Sequence, residues 1–226
     1  MYSPATTPAT AWEQYRPQLA QYASAQVNYD YELINEHTAP SGWHHDQYST
    51  ELPAEAPGPP APAGSFAAAQ DVIWHYAFPP PNLIHGYFDP AQPLDQRVML
   101  LHARFLGFHF RFGVRIVDVV DEVLPPAPGT AGQEQVWGYG YRTLQGHFEM
   151  GQINFAVHKN MLTGAVRFRI ASVSRTGRIS NPFYWVGFKL FGRTLQKYFA
   201  RQSLRRMQRL VAERLAEPKT TAPTVS

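Results

Sequence analysis

Between Val136 and Val173 large apolar side chains alternate with small or polar ones so regularly that consecutive antiparallel strands are the reading that satisfies the pattern. Trp137, Tyr139 and Tyr141 fall on one face of an extended segment, and Gly138, Gly140 and Arg142 on the other. Ile153, Phe155 and Val157 then alternate with Gln152, Asn154 and Ala156, and Val166, Phe168 and Ile170 with Arg167, Arg169 and Ala171. From Asn160 to Gly164 the chain has the length and the turn residues of a hairpin connection. Such a meander has one apolar face that another part of the chain must cover. The pattern specifies an architecture and names no reaction.

Two segments read as longer helices. Ser65 is placed to cap a helix from Phe66 to about Tyr76, with Phe66, Ala69, Val72 or Ile73, and Tyr76 as its apolar stripe and Pro79 to Pro81 as its stop. The second runs from about Phe188 or Gly192 to Leu215, before Pro218. Its stripe switches sides. Phe191, Leu195, Tyr198 and Phe199 share one side, whereas Leu204, Met207, Val211 and Leu215 fall near the opposite one, which predicts a bend near Gln202 or different partners for the two halves. The first half is the natural cover for the sheet, and the second is left to cover an edge, a partner subunit or a lipid surface.

Upstream, Pro17 suits the first turn of a short helix, and Val27 to Ile34 reads as strand-like. Pro40 to Gly64 holds six prolines and three glycines and reads as a long flap, with Trp43 and Tyr48 as its anchors. Val98 to Phe105 and Phe108 to Val120 are either two strands or one strand bent at Leu106 and Gly107. At least five strands result. A chain of 226 residues, 44% of them apolar, suits one core. The expected organisation is a flexible tail over 1–16, a single α+β domain over 17–217 with a Pro-rich loop at 40–64, and a flexible tail over 218–226.

No run of about 18 apolar residues offers a transmembrane segment, and the first ten residues lack the pattern of a signal peptide, so a cytoplasmic location is expected by default. The absence of cysteine excludes disulfides, thiolate metal sites and cysteine nucleophiles. Charge is unevenly placed. From Val186 to Glu217 eight basic residues meet two acidic ones, a formal +6, while the remainder sets twelve against fifteen, or −3.

The run Tyr141-Arg142-Thr143-Leu144-Gln145-Gly146-His147-Phe148-Glu149-Met150-Gly151, with Ser174-Arg175, Gly192-Arg193-Thr194-Leu195-Gln196 and Phe78-Pro79-Pro80-Pro81, resembles a family designated a domain of unknown function, DUF1990. The likeness extends from about Tyr29 to Arg209. That family is similar in turn to the START-like and Bet v 1-like helix-grip proteins. The resemblance implies a curved antiparallel sheet packed against a long C-terminal helix around an apolar cavity, in agreement with the α+β reading of the strands. It implies no activity.

Rings are abundant beyond what a plain core needs, and Trp137, Tyr139, Tyr141, Phe155, Phe168 and Tyr198 are the candidate lining of a site for a small apolar or aromatic ligand of lipid, polyketide or isoprenoid type. His147 and Glu149 flank Phe148 and are the candidate catalytic pair of a cyclase- or hydratase-type enzyme. The plainer reading is that they hold a turn, with Glu149 pairing to Arg142. Arg142, Arg167, Arg169 and Arg175 are anion-binding candidates should their face prove concave, and a solvated surface otherwise. His44-His45-Asp46 invites a metal, yet neighbouring histidines on an extended chain point opposite ways, so no metal site is expected and a flexible loop is. No nucleophile elbow surrounds Ser174 and no dinucleotide fingerprint surrounds Gly138, so no cofactor is expected and a binding protein is favoured over an enzyme. Peripheral membrane contact through Phe183 to Phe191 beside the basic helix is a further alternative. Nucleic acid is disfavoured as a partner, because no recognition motif accompanies the arginines.

Overall fold

The computed structural model describes residues 11–33, 41–105, 107–126, 128–147, 149–176 and 182–217, with only the backbone for 105, 108, 176 and 182–194. The meander forms as the alternation requires. Strands β5 (Glu134–Thr143), β6 (Glu149–Asn160) and β7 (Val166–Thr176) pair antiparallel, with Tyr139 opposite Phe155 and Phe155 opposite Ile170. Beyond β5 lie β4 (Phe108–Leu124), β3 (Val98–Phe105) and β2 (Ile84–Tyr87); beyond β7 lies β1 (His44–Leu52). The order is β1-β7-β6-β5-β4-β3-β2, with every neighbouring pair antiparallel.

Because β1 and β2 occupy opposite edges, the chain must cross the sheet between them, and helix α2 (Ser65–Trp74) lies in that connection. Phe66, Ala69, Val72 and Ile73 are buried, as the stripe requires. Phe78, just beyond the helix, seats its ring against Phe155 at 4.7 Å and Phe168 at 5.3 Å between centroids. Helix α3 (Pro182–Ala216) begins earlier than its composition suggests. Its C-terminal half buries Ser203, Met207, Leu210 and Val211, and it is tied to the α2 side by Arg206 Nε donating to Ala77 O (2.8 Å) and by Arg214 to Asp71 (2.6 Å). Gln208 Nε2 donates to Glu51 O on β1 at 3.0 Å.

Several expectations are corrected. The flap expected over 40–64 contains strand β1, since His44 to Leu52 is free of proline and an edge strand needs a ladder on one side only. His44, His45 and Asp46 therefore sit in a strand rather than a flexible loop. Trp43 is buried, edge-on to Tyr29 at 5.6 Å. Of the strand expected from Val27 to Ile34, only Val27 pairs, in a single bridge to Leu144. Asn28 turns the chain away by donating to the carbonyls of His147 and Glu149 and accepting from the Thr143 hydroxyl at 2.6 Å; Ile34 lies outside the described residues. Gly107, at φ 81°, makes β3 and β4 two strands, and the irregularity falls instead between Val117 and Val120, where Asp118 has φ 50°. Helix α1 (Arg16–Ser24) carries Pro17 in its first turn as expected.

Ser65 does not cap α2. Its hydroxyl donates to Pro53 O, and Phe66 N–H instead finds Glu55 Oε1 at 2.8 Å. The other oxygen of Glu55 accepts from Ala61 N–H (2.9 Å) and from Lys159 Nζ (2.8 Å), which also donates to Pro59 O. Both members of this ion pair are buried. Burial alone would raise the Glu55 carboxyl, but the amides of Ala61 and Phe66 and the Lys159 ammonium outweigh it and hold the group below its ordinary range. One carboxylate thus fixes the Pro-rich connection, the start of α2 and strand β6 together.

Candidate functional site

The ring-bearing face of the sheet is the face the helices cover. Trp137, Tyr139, Tyr141, Phe155 and Phe168 are all buried on it. Tyr139 donates its hydroxyl to Ile73 O at 3.0 Å, Tyr141 packs on Phe155 at 5.5 Å, and Trp137 lies 6.3 Å from Trp74. Tyr139, Phe155 and Phe168 are closed over by α2 and Phe78. Tyr198 is separate from them: it stands on α3 with 47% of its surface exposed.

Burial on the same face falls off along its length. Val157, Phe155, Val166, Phe168, Ile170 and Leu52 are buried, whereas Ile153, Ser172, Ser174, Tyr48 and Asp46, which share the face by register, are half-buried. This second stretch lies toward the N-terminal half of α3, where Gln196 donates to the Glu149 carboxylate. At the boundary between the two stretches sits Tyr76. Its backbone is left-handed, with φ 50°, a conformation that a bulky residue holds only when its surroundings over-determine it. They do so here. The ring meets Phe78, Phe155 and Tyr141 at 5.2, 6.1 and 6.3 Å, and a Cβ on Gly86 would stand 2.6 Å from it.

The Tyr76 side chain is buried, yet its hydroxyl has no hydrogen-bond partner among the described residues. The Tyr141 hydroxyl is its polar neighbour, in a contact whose geometry is too poor to satisfy it; burial first, then the field of Tyr141 and this weak hydrogen-bonding contact, raise the Tyr76 phenol well above its ordinary value. Tyr141 is raised too, by burial first and with the field of Glu149 adding to it, against the lowering effect of its contact with the Tyr76 hydroxyl. Tyr76, Tyr141, Glu149 and Gln196 thus form a polar line from the packed core toward α3. Sequence reasoning placed Tyr76 in a helix stripe and did not single it out, because a positive φ and an unpaired hydroxyl leave no mark in the composition.

His147 and Glu149 are together, but through the backbone: Glu149 N–H donates to His147 Nδ1 at 2.9 Å. The imidazole packs on Phe112 at 4.1 Å, and burial lowers its pKa to about 3, so the ring is neutral at physiological pH. Arg142 pairs with Gln152 (2.8 Å) and Asp118 (3.5 Å) and covers Tyr31, rather than meeting Glu149. Arg167 is bound to Glu51 at 2.7 Å, and Arg175 donates to Ser41 O and lies over Trp43. Arg169 is exposed. All four arginines stand on the face away from the helices, so they are not brought together in a concave pocket. Among the described residues no group of three metal-ligating side chains converges, and no helix is long and apolar enough to cross a membrane. The side chains from Phe183 to Phe191, on which the membrane alternative turns, lie outside the described residues. Outside the core, an open cleft of about 520 Å³ runs between α1 and the 89–98 segment, lined by Trp12, Arg16, Leu19 and Val98.

A single antiparallel sheet closed on its ring-bearing face by a central helix and a long C-terminal helix defines an α+β domain of the helix-grip class. Within that class the chain belongs to the family described as Domain of unknown function (DUF1990), whose model matches residues 24–206. No curated protein matches it. Among solved structures it is similar to Ara h 8.0201 at 13% identity and TM-score 0.41, over 76% of this chain and 99% of that one. It is also similar to an uncharacterised protein from Rhizobium leguminosarum at 12% identity and TM-score 0.37, over 76% and 97%. These scores are low, and the fold assignment rests on the strand order and helix packing of this chain.

Proposed function

We propose that the protein binds a small apolar or aromatic ligand of lipid, polyketide or isoprenoid type between the half-buried end of the ring-bearing face and the N-terminal half of α3. The observation that carries this reading is the Tyr76 hydroxyl, buried at 6% exposure and unpaired. A hydroxyl left unsatisfied in a core costs about 1–3 kcal/mol. A ligand oxygen that accepts its proton removes that cost, and Ile153 and Tyr48 supply apolar surface beside it. Trp137, Tyr139 and Phe168 then serve as the packed wall of the site, and Tyr141 as its second hydroxyl. Tyr198, on the exposed side of α3, stands outside it.

Native mass spectrometry of the purified protein is expected to detect a copurifying ligand, and Tyr76→Phe to reduce its occupancy at least about tenfold, as loss of a hydrogen bond worth roughly 1.4 kcal/mol would. The same variant is expected to melt higher than the parent without ligand, because it discards an unpaired hydroxyl. Equal occupancy in parent and variant, or a variant less stable than the parent, would count against the assignment. The environment of His147, with Nδ1 held by a backbone amide, favours binding over a reaction that uses this pair.

A further inference from the structure

On the outer face of the sheet, at the end opposite β1, the registers of β2, β3 and β4 gather a second set of side chains. His85 pairs with His102, His102 with Arg111, and Arg104 with His109, so all five project to the same side. Tyr87 continues this face on β2, and its ring meets Tyr15, which precedes α1, at 4.5 Å between centroids. Arg111 lies over Tyr15 at 5.6 Å.

We infer that this patch is a binding site for a phosphate-type oxyanion carried on a small soluble molecule. Two independent observations carry it. First, His102 is buried, its Nε2 engages His109 Nδ1 at 3.0 Å, and its Nδ1 has no hydrogen-bond partner among the described residues. Second, the register sets Arg104 and Arg111 on the same face as His85, His102 and His109; burial first, and then the fields of these arginines, of Arg206 and of the neighbouring imidazoles, lower His85 and His102, and no carboxylate field raises either one. From the neighbouring elements Tyr15, Tyr22 and Tyr87 complete the surroundings; the Tyr22 phenol feels Arg111, and the Tyr87 phenol feels Tyr15, Arg104 and Arg111. Cations gathered without an acid repel one another, and an oxyanion reverses the sign of that field.

The chemistry matches. Arg104 and Arg111 are exposed, and their planar forks suit oxyanion edges. A bound anion also favours the doubly protonated His102 ring, in which both nitrogens donate. The Tyr15 and Tyr87 rings beside the cations favour a ligand with an apolar or aromatic group next to its phosphate.

The test is a titration of the full chain, followed through the imidazole carbon–proton NMR signals of His102 and His109, in three arms: sodium phosphate, phenyl phosphate, and vesicles containing phosphatidic acid. Each is matched by potassium chloride at equal ionic strength. We expect saturable shifts with both soluble phosphates, tighter for phenyl phosphate, with a Kd of about 1 mM or below. Arg104→Gln combined with Arg111→Gln is expected to weaken them at least about tenfold, as one lost charge-assisted contact already would, and to leave the melting temperature unchanged because both side chains are exposed. The proposal is overturned if potassium chloride reproduces the shifts, if the double variant keeps them, or if only the vesicles bind. The Tyr76→Phe variant should retain the full response, which separates this site from the interior one.

Discussion

His147 illustrates how a residue's surroundings set its chemistry. Its pKa is lowered from 6.5 to about 3 by burial, and those of His85, His102 and His158 are lowered as well, with burial the largest cause each time. An imidazole whose folded pKa lies below its unfolded value binds protons first in the unfolded chain. Its stabilising contribution is therefore complete above pH 6.5 and is lost as the pH falls toward the folded value. Each such histidine contributes at most about 1.4 kcal/mol per pH unit within its window. Calorimetry between pH 7.5 and 5 is expected to show a falling melting temperature, in a range above that in which Glu55 begins to add an effect of the same sign. The His147 ring signal should not titrate there; a midpoint near 6.5 would mean that the ring is solvated and that its packing on Phe112 is wrong.

Among the elements, the Pro-rich connection depends most on a single interaction. The Glu55 carboxylate accepts from Phe66 N–H, Ala61 N–H and Lys159 Nζ, so removing one partner leaves a buried charge uncompensated. Lys159→Met is expected to cost about 3–5 kcal/mol, and Glu55→Gln a comparable amount. The double variant should cost less than the sum of the two, because the second substitution removes the charge that the first had stranded. Denaturant unfolding of the four proteins measures this directly. Additive losses would show that Glu55 and Lys159 act independently, the carboxylate through its amide contacts alone.

For the whole molecule, the question is which part of α3 holds the domain closed. Among the described side chains of α3 the buried ones are Ala200, Ser203, Met207, Leu210 and Val211, whereas Tyr198 is exposed, so these C-terminal residues close the domain beside α2 and β1. Met207→Ala is expected to destabilise the protein by about 2–5 kcal/mol, through lost transfer energy and the cavity left behind. Tyr198→Ala should stay within about 0.5 kcal/mol of the parent. Equal effects would place the two halves in similar surroundings, contrary to the packing described. The switch in the apolar stripe near Gln202 is the mark of this division of roles. The half that the sequence left to an edge, a partner subunit or a lipid surface packs inside the domain.

What the sequence by itself determined follows from local periodicity. The three strands from β5 to β7, their shared ring face, the burial of the α2 stripe and the helical C-terminus were legible because side-chain alternation and helical spacing act over a few residues. The family motifs were legible for the same reason. Strand β1 was hidden by the prolines around it, and its pairing with β7 joins residues more than a hundred positions apart. Glu55 could not be recognised as the cap of α2 from eleven residues away, nor Asn28 as the reason why Val27 makes only one bridge. The two candidate sites were less legible still. Tyr76 matters because its hydroxyl is buried without a partner, and the histidine and arginine patch because three strands bring separate segments into register. Burial, desolvation and register are properties of atoms brought together from distant parts of the chain, and only the tertiary structure decides them.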